Sequence, residues 1–282
     1  MTEEEHKLLG SAADVAAAFE GQVRIEGLYG PEGSHLYHNF TLRDTAEIDE
    51  LLELAEGRPG PVLELCCGSG RITLPFLRRG YEVVGLDSSP HMLALLSDRL
   101  KEPEDRTHAD RLSLVEGDMR AFTLGRRFGL VLLGATAIWN LDQPGRAALF
   151  AAVREHLADE GRFLLTVLAF DGFEGATDPL ENIAMFTSRD REAPVLCTLI
   201  DYLEPSGLRS TNIVCHRIEG REVSDTAIYT AWSYLRTPAA LAEEVAAAGL
   251  KVVAQHEVAG RHRITRRNTS AGRRRLLFEI SR

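Results

Sequence analysis

The sequence predicts an α/β domain built on a doubly wound, mostly parallel seven-stranded sheet, with an N-terminal helical arm and an inserted antiparallel segment. Apolar strand-like runs alternate with helical spacing up to residue 170, the rhythm of a parallel sheet covered on both faces. Strand-like runs joined by turn signals then indicate an antiparallel meander before the rhythm resumes. We therefore expect an arm at 1–43, the α/β domain at 44–170 and 236–282, and the insert at 171–235.

The arm contains two segments of different character. Apolar residues at helical spacing predict a helix from Glu3 to Glu20, and residues 27–33 are expected to be loop. Residues 34–40 then combine aromatic and imidazole side chains. This segment either packs on the domain surface or covers a bound ligand, and the sequence leaves both options open.

Helix signals and apolar runs give the elements of the α/β part in order. Asp44 with Glu47 three residues later indicates a capping box at the start of a helix, and Ser89 with Pro90 and Thr237 with Pro238 indicate two further helix starts. The final two strands are expected to pair as a hairpin. Strands are predicted at 61–66, 82–86, 112–116, 128–134, 162–169, 250–258 and 275–280, with helices at 44–55, 71–79, 90–100, 143–158 and 238–248.

The insert is predicted to contain three antiparallel strands, at 194–204, 208–218 and 223–235. A meander of this size is too small to be stable by itself. We therefore expect it to lie on the main domain as a lid over the ligand.

Composition narrows the class of protein. The chain has 282 residues and a net charge of -10, which argues against nucleic acid as a partner, although residues 261–282 hold eight arginines and a single acid. That basic segment is interpreted as a solvated loop, with an anionic partner as the alternative. No apolar run approaches the roughly 20 residues of a membrane helix, and the acidic start is unlike a signal peptide, so we expect a cytoplasmic protein without a membrane partner. The four cysteines indicate neither a disulfide framework nor a metal site.

A glycine loop follows the first strand of the α/β part. Glu64 lies inside that strand, Gly68 and Gly70 form the loop, and the second strand ends at Asp87. A dinucleotide would place its pyrophosphate on the helix that follows, where an acid would repel it. S-adenosylmethionine (SAM) carries an ammonium and a sulfonium group instead, so Glu64 favours SAM.

The segments 64–70, 86–90, 117–119 and 157–165 together resemble the class I SAM-dependent methyltransferase family. The likeness runs through most of the chain and implies a Rossmann-like methyltransferase sheet, SAM as the cofactor, S-adenosylhomocysteine (SAH) as the product, and no metal. The sequence departs from the family at Cys66, which stands where the first glycine of the loop is usual. The backbone there must approach the ligand with a side chain present.

The resemblance implies a role for each matched position. Glu64 would hold the methionine amino group, Asp87 would accept both ribose hydroxyls, Asp118 would accept the adenine amine, and Met119 would pack on the ring. The other expected cofactor-binding residues are Cys66, Gly68, Gly70, Ser88, Gly134 and Ala135.

The acceptor is expected to be an amine, which must reach the methyl group as a free base. Tyr37 and His38 in the arm are the candidate catalytic groups that remove its proton, and Trp139 and Asn140 are the candidate substrate contacts. Residues 134–137 lack the motif of DNA amino-methyltransferases. A metal-assisted O-methyltransferase would need more acids there than Asp142 supplies.

The arm and insert look like those of small-molecule N-methyltransferases of the glycine and amino-sugar type. Residues 28–38 also look similar to the arm of methyltransferases from daptide-type ribosomal peptide pathways, which methylate a modified C-terminal amine. We therefore expect methyl transfer to an amine of a small molecule or a short natural-product peptide. A small-molecule O-methyltransferase, a nucleotide-dependent oxidoreductase and a non-catalytic SAM-binding regulatory protein remain as alternatives, and the oligomeric state, with a homodimer as one option, stays open.

Overall fold

The computed structural model describes residues 8–19, 22–58, 60–170, 176–190, 193–220, 222–258 and 273–282. The first residues of the predicted N-terminal helix and most of the arginine-rich segment lie outside these ranges. The described helices and strands are α1 Ser11–Ala18, β1 Arg24–Gly27, α2 Gly33–Thr41, α3 Ile48–Ala55, β2 Val62–Leu65, α4 Thr73–Arg78, β3 Val83–Asp87, α5 Pro90–Arg99, β4 Leu112–Glu116, β5 Phe128–Leu133, α6 Gln143–His156, β6 Leu157–Phe170, β7 Leu180–Asp190, β8 Ala193–Leu203, β9 Leu208–Glu219, β10 Glu222–Tyr234, α7 Pro238–Ala247, β11 Lys251–Glu257 and β12 Arg273–Ser281.

These elements form two compact units. One contains α1, β1, α2 and β7 to β10, and the other contains the remaining helices and strands. None of the described helices has the length and apolarity needed to cross a membrane.

The larger unit is built on a seven-stranded sheet of order β11-β12-β6-β5-β2-β3-β4. Strand β12 is antiparallel to both of its neighbours, while β6, β5, β2, β3 and β4 run parallel. This confirms the predicted α/β class, the mostly parallel seven-stranded sheet and the terminal hairpin. The chain runs outward from β2 to β4 and then returns to β5 on the other side of β2. The topological switch point therefore lies between the carboxyl ends of β2 and β5, where open α/β sheets bind ligands.

Strands β2 and β3 are buried along their whole length, as central parallel strands are, and each carries one acid, Glu64 in β2 and Asp87 at the end of β3. Two predicted helix caps are also confirmed. Ser89 Oγ accepts the Met92 amide at 3.3 Å at the start of α5, and Thr237 Oγ1 accepts the Ala240 amide at 3.3 Å at the start of α7.

The predicted capping box at Asp44 is wrong. Helix α3 begins only at Ile48, and Asp44 Oδ1 instead accepts the Ala46 amide at 3.0 Å in the preceding turn. Glu47 has a left-handed backbone, with φ 68°, and its side chain makes no cap hydrogen bond. Its carboxylate is buried and bonds Arg71 and Ala135 in the segments that follow β2 and β5, which explains why it does not fold back onto the helix end.

The smaller unit contains a five-stranded sheet of order β1-β10-β9-β8-β7. Strands β7 to β10 form an antiparallel meander, and β1 adds to it in parallel register, with Arg24 opposite Ala227. The sequence predicted three of these strands and missed β7 and β1. Strand β7 is an edge strand whose side chains alternate in exposure, but its exposed face carries the apolar Ile183 and Met185, so the sequence does not alternate between apolar and polar residues. Strand β1 is four residues long and depends on a distant partner.

Candidate functional site

The glycine loop has the left-handed backbone that its glycines allow. Residues Cys66, Gly68 and Gly70 have φ values of 53°, 54° and 85°. A Cβ on Gly70 would also collide with the side chain of Leu96, so this position accepts only glycine. The loop therefore follows β2 directly, at the carboxyl edge of the sheet.

Cys66 is the residue at which the sequence departs from the family pattern. A side chain in the left-handed region costs about 1–2 kcal/mol, which glycine would avoid. Its Sγ lies 3.3 Å from Met119 Sδ, so the side chain packs against the residue expected to cover the adenine ring. Burial raises the pKa of Cys66, and the nearby Asp87 and Asp118 raise it further. The thiol is therefore a protonated packing group at neutral pH.

Asp87 ties the glycine loop to the end of β3. Its side chain is 8% exposed, Oδ2 accepts the Gly68 amide at 2.8 Å, and Oδ1 accepts the Ser89 amide at 2.8 Å. Burial raises the pKa of Asp87, while amide hydrogen bonds from Ser89, Gly68 and Ser88 oppose that rise. Sequence reasoning missed this structural role. Ribose hydroxyls would share the carboxylate with these amides, so the two-hydroxyl contact stays a prediction.

Glu64 is 2% exposed on β2, and its Oε2 accepts a hydrogen bond from Thr73 Oγ1 at 2.6 Å. Burial raises the pKa of Glu64 to about 8, although the Thr73 hydrogen bond and the charge of Arg71 lower it. The carboxyl group is therefore mostly protonated at neutral pH. A cationic group placed beside it would favour the ionised form.

Glu47 is a site residue that sequence reasoning missed. It is fully buried, its Oε1 accepts the Ala135 amide at 2.8 Å, and it forms an ion pair with Arg71 Nη2. Arg71 Nη1 also donates to the Ala46 carbonyl at 2.9 Å. The acid preceding an apolar helix resembled an ordinary cap, and no local signal distinguished the two.

Carboxyl groups outnumber cations in this part of the sheet. Glu47, Glu64 and Asp87 are all buried, and Arg71 is the guanidinium that neutralises one of them. Glu64 avoids the cost of a buried charge by holding its proton, and a cationic ligand beside it would allow it to ionise. The electrostatics of the described residues therefore fit the ammonium and sulfonium groups of SAM.

The two residues expected to bind adenine differ in their exposure to solvent. Met119 is buried beside Cys66, as an adenine-packing residue needs to be. Asp118 is about half exposed, and both of its carboxylate oxygens bond Arg120, at 2.6–3.0 Å. These hydrogen bonds hold the pKa of Asp118 below its usual value. An adenine amine would have to share Asp118 with Arg120, so its role stays a prediction.

The segment after β5 lies at the switch point. Gly134 is buried against Ile72. Ala135 and Asn140 are exposed, so these two residues are accessible to a ligand. Trp139 is 1% exposed, and its Nε1 donates to the Leu168 carbonyl at 3.1 Å. This position does not support the expected contact between Trp139 and an acceptor, because the ring is enclosed by the core.

Tyr37 and His38 lie on α2, in the unit that contains the five-stranded sheet. The Tyr37 ring meets Tyr29 edge-on, with centroids 5.2 Å apart, and both Tyr37 and His38 are partly buried. Their role in removing the acceptor proton stays a prediction. Over the described ranges, no group of three or more His, Cys, Asp and Glu side chains could hold a metal ion.

Comparison with known proteins gives consistent matches. Residues 62–161, from β2 into β6, match the family model described as "Methyltransferase domain". Magnesium-protoporphyrin O-methyltransferase of Rhodobacter capsulatus is 32% identical over 117 residues, which are 41% of this chain and 50% of that protein. The dTDP-3-amino-3,6-dideoxy-alpha-D-glucopyranose N,N-dimethyltransferase of Streptomyces fradiae is 32% identical over 117 residues, 41% of each chain. The chain thus spans half or less of the length of these curated relatives.

A solved structure matches over nearly the whole chain. The glycopeptide N-methyltransferase MtfA in complex with SAH is 30% identical, with a TM-score of 0.61, and the match covers 97% of this chain and 98% of that one. MtfA has also been solved with SAM. On this likeness, together with the glycine loop and the sheet that carries it, the chain belongs to the class I SAM-dependent methyltransferase family.

Proposed function

We propose that this protein transfers a methyl group from SAM to an amine of a small molecule or a peptide. The observation that carries the proposal is Glu64, a carboxyl group buried in β2 that has no ion-pair partner among the described residues, while the neighbouring Glu47 is paired with Arg71. A dinucleotide would add negative charge to this region. SAM brings positive charge to it.

Residues around the glycine loop would hold the two ends of the cofactor. Glu64 would receive the methionine ammonium, and Asp87 and Met119 would receive the ribose and the adenine ring. When bound, SAM supplies a methyl group on a positively charged sulfur: the acceptor attacks the methyl carbon in line with its bond to sulfur, and SAH leaves with the electron pair of that bond. The protein's own contribution is then to align the acceptor with that methyl group and to exclude water.

Amines are the acceptors that we favour. The glycopeptide N-methyltransferase and the amino-sugar dimethyltransferase named above support an amine on a sugar or a peptide. The relatives named above give no support to the narrower expectation of a daptide-type peptide. The O-methyltransferase of Rhodobacter capsulatus makes a hydroxyl or carboxyl acceptor the second candidate.

An amine acceptor must lose a proton to become nucleophilic, and we propose Tyr37 and His38 for this step. His38 would accept the proton as a neutral imidazole, and Tyr37 would do so as a phenolate. The replacements Tyr37→Phe and His38→Gln keep the shape of each side chain and remove that chemistry. If either residue serves as the base, turnover of the variant falls at least about tenfold while SAM affinity is retained.

Paired acceptors test the proposal. Amino sugars, peptides with a free amine and glycopeptide amines would each be incubated with SAM beside the corresponding hydroxyl compound, and methylated product and SAH would be measured by mass spectrometry. We expect methyl transfer to an amine and none to its hydroxyl counterpart. Transfer to hydroxyl compounds alone would establish the second candidate, and SAM binding without transfer to any acceptor would favour a regulatory protein.

A further inference from the structure

Strained backbone gathers at one place in the larger unit. The described residues other than glycine that have positive φ are Glu47, Cys66, Ala135 and Thr136, with φ between 53° and 68°. Each costs on the order of 1–2 kcal/mol, and such residues persist where surrounding contacts hold them. Cys66 belongs to the glycine loop. The other three need a separate explanation.

The Glu47 carboxylate contacts one of the other two, Ala135, and Thr136 is the next residue in the chain. Glu47 Oε1 accepts the amide of Ala135, which follows β5, and the same side chain pairs with Arg71, which follows the glycine loop of β2. The carboxylate thus ties together the carboxyl ends of the two strands that flank the switch point. The hydrogen bond to Glu47 holds Ala135 in its left-handed conformation, at the position where a ligand would approach the switch point.

The second oxygen of this carboxylate has no hydrogen-bond partner. Glu47 Oε2 is buried, and no group in the described ranges donates to it. A buried acceptor without a hydrogen-bond partner destabilises the fold, so its presence points to a functional role. Glu47 and Arg71 also both act electrostatically on Glu64, the residue expected to meet the methionine ammonium. Glu47 contacts the turn after β5, on one side of β2, whereas Met119, which Cys66 contacts at the expected adenine end, follows β4 on the other side.

We propose that Glu47 is a positioning residue for the amino-acid end of the cofactor. It acts through Ala135 and Arg71, fixing the turn after β5 and the end of the glycine loop in the conformation that receives the methionine group. Its second oxygen remains available to accept a hydrogen bond at this end of the site. This inference rests on the proposed function, because it assumes that SAM occupies the site.

The affinities for two ligands of different length distinguish a positioning role of Glu47 from a general loss of structure at the site. SAH carries the amino-acid end, and 5′-methylthioadenosine keeps the adenosine and the thioether but lacks that end. Glu47→Gln keeps the shape of the side chain and removes its charge. Calorimetric titration should show SAH bound at least about tenfold more weakly by Glu47→Gln than by the unaltered protein, the effect of weakening a hydrogen bond to a charged group. The affinity for 5′-methylthioadenosine should change less than about threefold.

Asp105→Asn is the matched control. Asp105 is also a buried carboxylate, and it forms a two-point ion pair with Arg78, at 2.8 and 2.9 Å, where α4 ends on the opposite edge of the sheet. This variant should lose thermal stability and keep both ligand affinities. Glu47→Asp retains the charge with a shorter reach and should give a smaller loss for SAH, which keeps the test usable if Glu47→Gln fails to fold.

The outcomes are distinct. Equal weakening of SAH and 5′-methylthioadenosine in Glu47→Gln would show a structural role only and overturn the proposal. Unchanged affinity for SAH would overturn it as well. If the unaltered protein bound neither SAM nor SAH, the proposed function itself would fail.

Discussion

The pH dependence of cofactor binding follows from Glu64. Its pKa is about 8 in the empty protein, raised by burial, so the carboxyl group carries a proton at neutral pH. A bound ammonium group favours the ionised form, so binding of SAM must release that proton. If the pKa falls below about 6 in the complex, SAM affinity rises about tenfold from pH 6 to pH 7, because one proton leaves on binding.

Isothermal titration at several pH values, in phosphate and in Tris, measures both the affinity and the number of protons released. The range below pH 7 keeps the amino group of SAM itself protonated, since α-amino groups titrate near about 8. Near pH 7 the unaltered protein should release about one proton per SAM bound. Glu64→Gln should bind SAM more weakly and without this proton release. An affinity that stayed flat between pH 6 and pH 7 in the unaltered protein would refute the reasoning.

The folding stability of the empty protein depends on pH in the opposite direction to its SAM affinity. The pKa of Glu64 is higher in the folded protein than its ordinary value of 4.5, so the folded state holds the proton more tightly than the unfolded state. The stabilising contribution of that proton is lost as pH rises from about 4.5 through about 8. The melting temperature of the empty protein should therefore fall across this window, and less steeply in Glu64→Gln.

Three substitutions test the loop itself. Gly70→Ala should destabilise the fold by about 2–5 kcal/mol in thermal or denaturant unfolding, because it adds a left-handed side chain against Leu96; a stable variant would contradict this. Cys66→Gly should keep SAM affinity within about threefold by calorimetry, since glycine takes the same φ without strain; a larger loss would assign the thiol a direct role. Asp87→Ala should lower SAM affinity at least about a hundredfold and lower the melting temperature. Glu82 is exposed, so Glu82→Ala should change neither quantity. Equal SAM affinity in the two variants would show that Asp87 does not bind the cofactor.

The sequence predicted those parts of the fold that depend on local patterns. Strands β2, β3 and β5 are buried on both faces and therefore read as continuous apolar runs. Ser89 and Thr237 cap helices through hydrogen bonds to residues three positions ahead, which a local pattern encodes. The glycine loop and its acid were likewise recognisable, because their chemistry requires a fixed spacing.

What the sequence could not predict depends on distant partners. Glu47 bonds Arg71 and Ala135, which are 24 and 88 residues away, so its pattern suggested only a helix cap. Strand β1 is four residues long and is defined by its pairing with β10, and the Trp139 side chain is turned into the core by the carbonyl of Leu168. In each case tertiary contacts override the local signal.

Titration of the protein with SAM and with NAD in one calorimetric series tests whether the buried acids beside the glycine loop, Glu64 first among them, select a cationic cofactor. We predict that SAM binds at one site per chain and that NAD produces no binding heat and does not compete with SAM. Binding of NAD at this site, or the absence of SAM binding, would contradict the account.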